Sequence, residues 1–505
     1  MSVAVTYSSA QVGISAPLIT VEVDVSPGLP QVLIVGLPET AVRESKDRVR
    51  AAINSSGLSF PDKRVTVNLA PADLPKSSGR YDLAIALAIL AANRDIPADA
   101  LDRHEFLGEL SLTGQLREVR GVLPAALRET QPKRPLIVPE GNQEEAGLAD
   151  LREVRLGQSL SQVVQYLNSG EPLPQATPAY RSVKAPHAIG LADVKGQQAA
   201  KRALIIAAAG QHNLLMIGPP GTGKTMLSTR LPLLLPRMSR EEALESTAIA
   251  SVSQQPFDAR KWRERPFRTP HHTCSAAAMV GGNNPPRPGE VSLAHHGVLF
   301  LDELPEYSRN VLEVLREPLE SQEIWISRAG HQVRYPADFQ LLAAMNPCPC
   351  GFYGDASREC KCTADRISRY RARLSGPLLD RIDMHISMPP VPSGRLADLS
   401  RESAKGDKKI VERVQNARLT MLRRQQTVNS RLQGRAIAQH CSLRRKDQLL
   451  LEEAVQKLGI SMRGCLKIIR VARTIADYCR STEICTSHVS EALSYRQSIG
   501  QDKFT

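Results

Sequence analysis

The pattern of apolar and polar positions predicts strands at Thr20–Val25, Gln31–Val35 and Arg64–Leu69. Helices are predicted at Glu39–Ser56 and Tyr81–Asn93, where apolar residues recur at helical spacing. Residues 1–168 therefore read as alternating strands and helices. Three prolines fall in the first nine residues of the stretch from Gly170 to Tyr180, so 169–188 is expected to be a linker. A second α/β unit is expected at 189–390, with apolar runs such as Leu214–Ile217 and Val298–Leu301 suited to buried parallel strands. Glu323 to Tyr335 reads as a hairpin around Ala329-Gly330, with basic residues near the tip. Beyond Pro389, Pro390 and Pro392 the chain is rich in Leu, Ala and Arg at helical period, which predicts a helical domain over 391–505. The fold class is a multidomain α/β chain with a parallel-sheet core and a helical C-terminal part.

Length and charge sharpen that division. A chain of 505 residues is too long for one ordinary core. No apolar run approaches the roughly 20 residues needed to cross a bilayer, and the first residues lack a basic-then-apolar secretory pattern. A cytoplasmic protein without membrane contact is the expectation, and there cysteines are reduced thiols. The formal net charge is +13, and residues 391–505 carry 22 Lys+Arg against 11 Asp+Glu. A basic surface suits nucleic acid, although solvated charged helices have the same composition.

Gly218, Pro219, Pro220, Gly221, Thr222, Gly223, Lys224 and Thr225 match GxxxxGK[ST] in full, between an apolar strand and a helix opening near Met226. In such a loop backbone N–H groups wrap phosphates at a helix N-terminus. Lys224 is then expected to reach the β/γ-phosphates and Thr225 to bind Mg²⁺. Val298–Leu301 ends in two acids. Asp302 is expected to complete the Mg²⁺ shell, and Glu303 to orient or activate the attacking water. A helix N-cap is the alternative use of Asp302. Together the motifs predict an ATPase working with ATP and Mg²⁺.

Four of the nine cysteines, Cys348, Cys350, Cys360 and Cys362, stand within fifteen residues. Four thiols can form a tetrahedral thiolate site suited to structural Zn²⁺. The C-x-C pairs are tighter than in common zinc modules, and free thiols or redox use are the alternatives. No open catalytic position or acid/base partner accompanies them.

Further blocks extend the likeness beyond ATP binding: Asp193-Val-Lys-Gly-Gln197, Pro270-His-His-Thr273, Pro288-Gly-Glu-Val-Ser-Leu-Ala-His295, Leu301-Asp-Glu-Leu-Pro305 and Ser375-Gly-Pro-Leu-Leu-Asp-Arg-Ile-Asp383. They resemble the magnesium-chelatase-like branch of the AAA+ superfamily. Over essentially its whole length the chain resembles the ComM/YifB family within it.

The resemblance implies roles for more residues. Asn346, after Phe339–Met345, would be the sensor-1 residue that contacts the γ-phosphate or its water; a turn-forming Asn before Pro347 is the alternative. Arg381 matches the arginine finger, which reaches into a neighbouring subunit's site, and Arg463 matches sensor 2. For either arginine the alternative is a surface salt bridge. A finger acting in trans requires a ring, so self-association to a hexamer is implied. Related helicases carry a pore hairpin where Glu323–Tyr335 stands, and Gly281–Gly289 resembles a second insertion of this branch. Arg287, Arg328, His331 and Arg334 are the DNA contacts expected there, against the alternative of a solvated or subunit-packing hairpin.

On this likeness 189–390 is the AAA+ P-loop core, with the cysteine segment 346–363 as an insertion, and 391–505 is its helical lid. Residues 1–168 resemble the Lon-protease fold without its Ser–Lys dyad. The nucleophile's position falls on Arg80, with Ser77 and Ser78 nearby, and the base's on Leu123, which accepts no proton. The implied function is an ATP-driven hexameric DNA motor. It would act as a helicase or in branch migration on single-stranded and branched DNA, in homologous recombination and natural transformation. A protein-remodelling ATPase of magnesium-chelatase type is the alternative, and the missing lysine argues against a Lon-like peptidase.

Overall fold

The computed structural model describes residues 2–36, 39–76, 78–150, 152–178, 190–253, 257–283, 285–328, 331–355, 358–390 and 405–496. The N-terminal sheet runs in the order Ser2–Ser9, Leu18–Ser26, Arg64–Ala70, Gln31–Val35. Its first three strands are antiparallel, and the last pair is parallel. Ile19, Val21, Val23 and Val25 alternate onto the inner face, which the helix Asp82–Ala92 covers. That helix is apolar on all sides, and every one of its residues is buried between the sheet and the helix Ser45–Ser55.

The single helix expected over Glu39–Ser56 is two, Thr40–Arg43 and Ser45–Ser55. Past the break at Glu44, the buried Ser45 hydroxyl donates to Asp82 (2.5 Å) and Arg48 pairs with the same carboxylate (2.8 Å). Both anchors belong to tertiary structure and leave no trace in apolar spacing. The strand Ser2–Ser9, which the sequence pattern does not announce, pairs with Leu18–Val25 along its whole length. A small parallel sheet of Glu105–Phe106, Leu136–Pro139 and Val154–Gly157 completes the unit.

The Pro-rich stretch after residue 168 begins as part of this unit rather than as a free linker. Leu173 is buried, Leu156 N donates to Pro174 O (2.8 Å), and Ala176 N donates to Val154 O (2.9 Å). Prolines are tolerated there because an edge segment needs only alternate amides for pairing. Residues 179–188 of the expected linker lie outside the described residues.

The second sheet has five parallel strands in the order Phe267–Arg268, Val298–Leu301, Gln340–Met345, Leu214–Ile217, Met384–Ser387. The strands Val298–Leu301 and Gln340–Met345 are buried throughout, as a parallel sheet covered on both faces requires. Leu214 and Met216 point into one apolar cluster with the helix Gln198–Gly210. Leu215 points into another, with Leu304, Leu312 and the hairpin's Ile324 and Tyr335.

The C-terminal part is helical: Lys405–Gln425, Arg435–His440, Arg445–Leu458, Met462–Tyr478 and Thr486–Ser494. Its apolar residues share one cluster with Gln198–Gly210 and the strand Leu214–Ile217. A buried polar knot reinforces the joint. Asp383 accepts from Asn213 N (2.8 Å) and Lys467 (2.8 Å), with His212 at 3.8 Å. Burial disfavours the Asp383 carboxylate, but Lys467 and His212 outweigh it and hold its pKa far below the usual range.

Part of the C-terminal positive charge is consumed inside the fold. Arg418 is buried and donates to Ala208 O (3.0 Å), Arg424 and Arg473 share Asp477, and Arg496 donates to Ile382 O (2.9 Å). The basic excess is thus in part a means of fixing helices to carbonyls and buried acids. Among the described residues no helix is long and apolar enough to cross a membrane.

Candidate functional site

Strand order assembles the site. Gln340–Met345 lies between the strand that leads to the Gly-rich loop and the strand that ends in two acids. Ile217 pairs with Met345 and Leu301 with Ala343, so Gly218, Asn346 and Asp302 emerge along one edge of the sheet. Gly221 and Gly223 adopt φ of +79° and +86°, left-handed values that glycine takes without strain, and the helix Lys224–Ser228 follows.

Lys224 Nζ donates to Gly218 O (2.7 Å), Pro219 O (2.9 Å) and Asn346 Oδ1 (3.1 Å). Burial lowers the Lys224 pKa, against the pull of Asp302 and Glu303. Thr225 Oγ1 donates to Asp302 Oδ2 (2.7 Å). Glu303 stands beyond with φ +51°, its carboxylate half-exposed and 3.5 Å from His272 Nδ1. The edge therefore holds an ammonium satisfied only by neutral oxygens, a hydroxyl–carboxylate pair fit for a hard cation, and a second carboxylate open to solvent.

Arg381 and Arg463 stand apart from this constellation. Arg381 donates through Nε to Arg316 O (3.1 Å) and through Nη1 to Pro377 O (2.7 Å), while its Nη2 lies 2.8 Å from Glu320. Arg463 Nη1 is 3.4 Å from the same Glu320 oxygen. Among the described residues neither arginine has a hydrogen bond or ion pair to the Gly-rich loop.

The four clustered cysteines do meet. Cys348, Cys350 and Cys360 sulfurs lie 3.3, 3.7 and 3.5 Å apart, and all four ligand atoms, Cys362 included, fall within 4.8 Å of one another. A tetrahedral Zn²⁺ with bonds of about 2.3 Å requires sulfurs about 3.8 Å apart, so the donor set fits that ion. Burial pushes the Cys348 thiol up to about 12. For Cys350 burial is outweighed, first by the Phe352 N–H, and the thiol sits at about 6. The loop also touches the nucleotide edge. Gly351 has φ +87°, and a Cβ there would meet Pro220 Cδ at 2.6 Å.

A second cluster, Glu245 with His295 and His296, is less suited to a metal. Asp338 N donates to His295 Nδ1 (3.0 Å), which places the proton of a neutral ring on Nε2, the atom that faces Glu245 (3.3 Å). Glu245 accepts from both rings, with His296 at 2.7 Å, and is held at about 2, chiefly by the His295 hydrogen bond against the cost of burial.

The hairpin forms as expected, Glu323–Arg328 against His331–Pro336. Its turn and the side chains of Arg328 and His331 lie outside the described residues. Ile324, Ile326, Val333 and Tyr335 face inward. Trp325 and its cross-strand partner Arg334 face outward, Trp325 being 47 % exposed and Arg334 3.3 Å from Glu323. Tyr335 Oη donates to Pro286 O (3.0 Å), so the hairpin carries the insertion of Arg287 on its side. Arg287 opens onto a cavity of about 790 Å³ between this face and the N-terminal unit, lined also by Ser78, Arg80, Glu109, Glu145 and Gln332.

Among the described residues no protease dyad faces that cavity. Arg80 is buried, its Nε and Nη1 without a hydrogen-bond partner, and Leu123 is fully buried; Ser77 lies outside the described residues. Glu145 instead accepts from Leu123 N (2.6 Å) and from Ser251 of the second α/β unit, which joins the two units. His272, Glu320 and Trp325 are the residues the sequence reading passed over. For Trp325 the signal was available, as the one aromatic on the polar face of an alternating strand. His272 and Glu320 meet their partners only through tertiary structure.

A parallel sheet whose central strand stands between a phosphate-loop motif and an acid pair, followed by a helical C-terminal part, belongs to the AAA+ class. Comparison with known sequences narrows the class. Residues 190–396 match the family described as Magnesium chelatase, subunit ChlI. Residues 21–142 match Subunit ChlI of Mg-chelatase, and residues 404–496 its C-terminal family. Competence protein ComM of Haemophilus influenzae is 48% identical over 99% of this chain and 98% of its own length. Protein YifB of Salmonella typhimurium is 47% identical over 98% of this chain and 97% of its own. A partial likeness, 27% identity over 31% of this chain, extends to Lon protease 2 of Bacillus subtilis. The chain is a member of the ComM/YifB family of magnesium-chelatase-like AAA+ proteins.

Proposed function

We propose that this protein is an ATPase of ring form that moves DNA. The observation that carries the reading is the pair of contacts at one sheet edge, Lys224 with Asn346 and Thr225 with Asp302. ATP would draw the Lys224 ammonium from the Gly218 and Pro219 carbonyls to its β/γ-phosphates, a charge-assisted exchange. Thr225 and Asp302 would hold Mg²⁺, which neutralises phosphate charge. Glu303 takes the proton of the attacking water as it adds to the γ-phosphorus and the bond to the ADP oxygen breaks; Asn346 orients that water. Arg381, as finger, would complete the site of a neighbouring subunit and so require a hexameric ring, and Arg463 would serve as sensor 2. The units would be 1–178, extended by the packed stretch after residue 168, then 189–390 and 391–505, in the cytoplasm.

The four cysteines would hold structural Zn²⁺ behind the Gly-rich loop. DNA as the cargo is supported by the relative named a competence protein and by the outward Trp325 and Arg334, a base-stacking and phosphate-binding pair. Branch migration during recombination and natural transformation is the finer reading. A labelled forked duplex tests it. Strand displacement that requires hydrolysable ATP supports the reading, whereas no displacement together with no salt-sensitive DNA binding overturns it.

A further inference from the structure

We propose that Glu320 is a latch: it holds Arg381 and Arg463 together in their own chain, and the hairpin's movement releases both, Arg381 to a neighbouring subunit. The inference rests on the reading of Arg381 as a trans-acting finger and of Arg463 as sensor 2.

A single Glu320 oxygen serves both guanidinium groups, at 2.8 Å and 3.4 Å. Arg381 is only 12% exposed, and its other engaged nitrogens bond neutral carbonyls of Arg316 and Pro377. The carboxylate is thus the charged competitor that a phosphate must displace before Arg381 can present its fork of donors. Two cations on one carboxylate leave a surplus positive charge at this surface, ready for an anion.

The latch is placed to sense the hairpin. Glu320 lies on the short helix Pro318–Ser321, directly before the hairpin's first strand. Ser321 Oγ donates to Glu323 O (2.9 Å), and Ala337 N donates to Gln322 O (2.7 Å), so both feet of the hairpin are tied within two residues of Glu320. Glu323 also pairs with the outward Arg334 (3.3 Å). Nucleic acid that takes Arg334 from Glu323 would shift this foot and, through Ser321, the helix that carries Glu320. Glu320 is then a positioning residue, acting through Arg381 rather than on ATP.

Steady-state hydrolysis by the full-length protein, with and without single-stranded DNA, tests this for wild type, Glu320→Gln, Glu320→Asp and Arg381→Ala. The latch predicts that Glu320→Gln raises kcat without DNA about two- to fivefold, the range for loss of the half-exposed ion pair to Arg381. The KM for ATP stays put, and stimulation by DNA shrinks by the same factor. Glu320→Asp, which keeps the charge, remains near wild type. If Glu320→Gln leaves the DNA-free rate unchanged or lowers it while Arg381→Ala is inactive, the latch is refuted and the finger stands. If Arg381→Ala hydrolyses ATP at the wild-type rate, the finger reading fails and the latch with it.

Discussion

Lys224 is buried among oxygen acceptors of its own chain, so its replacement removes a cation held against the Gly-rich loop. Lys224→Ala is expected to abolish nucleotide binding in a fluorescent-nucleotide titration. Glu303→Gln should bind ATP normally and hydrolyse it at least about 100-fold more slowly, as expected for loss of a general base. A wild-type rate for that variant would remove Glu303 from its role. Gly351 offers a test at a distance from the ligand. Its φ of +87° and the nearness of Pro220 mean that Gly351→Ala should displace the Gly-rich loop and weaken ATP binding. At this scale the sequence was most legible where chemistry is linear: the GxxxxGK[ST] loop and the acid pair need no fold to be seen. The pairing of His272 with Glu303, and of Glu320 with two arginines, joins residues 31 and more positions apart, and no local pattern carries it.

At the scale of elements, the cysteine loop and the knot around Asp383 are the joints to test. Purified protein should contain about one equivalent of zinc, from a site of four thiolates, and Cys348→Ser should lose it. Protein with no zinc before any chelator is added would contradict the assignment. Asp383 has a folded pKa depressed below its unfolded value. Its contribution to stability is therefore complete above the usual aspartate pKa of about 3.9 and is lost as pH falls below it. Asp383→Asn leaves Lys467 buried without its counter-charge and should cost about 3–5 kcal/mol at neutral pH. Denaturant melts across the acid range should show a shallower fall in stability for the variant than for wild type. The hairpin was legible because two short strand-like runs flank Ala329-Gly330. The broken helix at Glu44 was not, because Asp82 and its partners lie far along the chain.

The whole molecule is less divisible than its sequence suggests. The basic C-terminal helices share an apolar cluster with the strand that leads to the Gly-rich loop, so the helical part and the parallel-sheet unit are joined by packing. Their charge looked like a nucleic-acid surface, yet Arg418, Arg424, Arg473 and Arg496 are spent on internal partners. DNA contact is better sought at Trp325 and Arg334, on the outer face of the hairpin. The strand order that gathers Lys224, Asn346 and Asp302 was hidden because parallel sheets pair strands distant in sequence. The central claim joins that edge to the hairpin: ATP hydrolysis answers to DNA. The most direct measurement is the ATPase rate of the wild-type protein with and without single-stranded or branched DNA. Stimulation that weakens as salt rises, and that disappears in Glu303→Gln, is predicted. A rate indifferent to every DNA form at low salt would contradict the account.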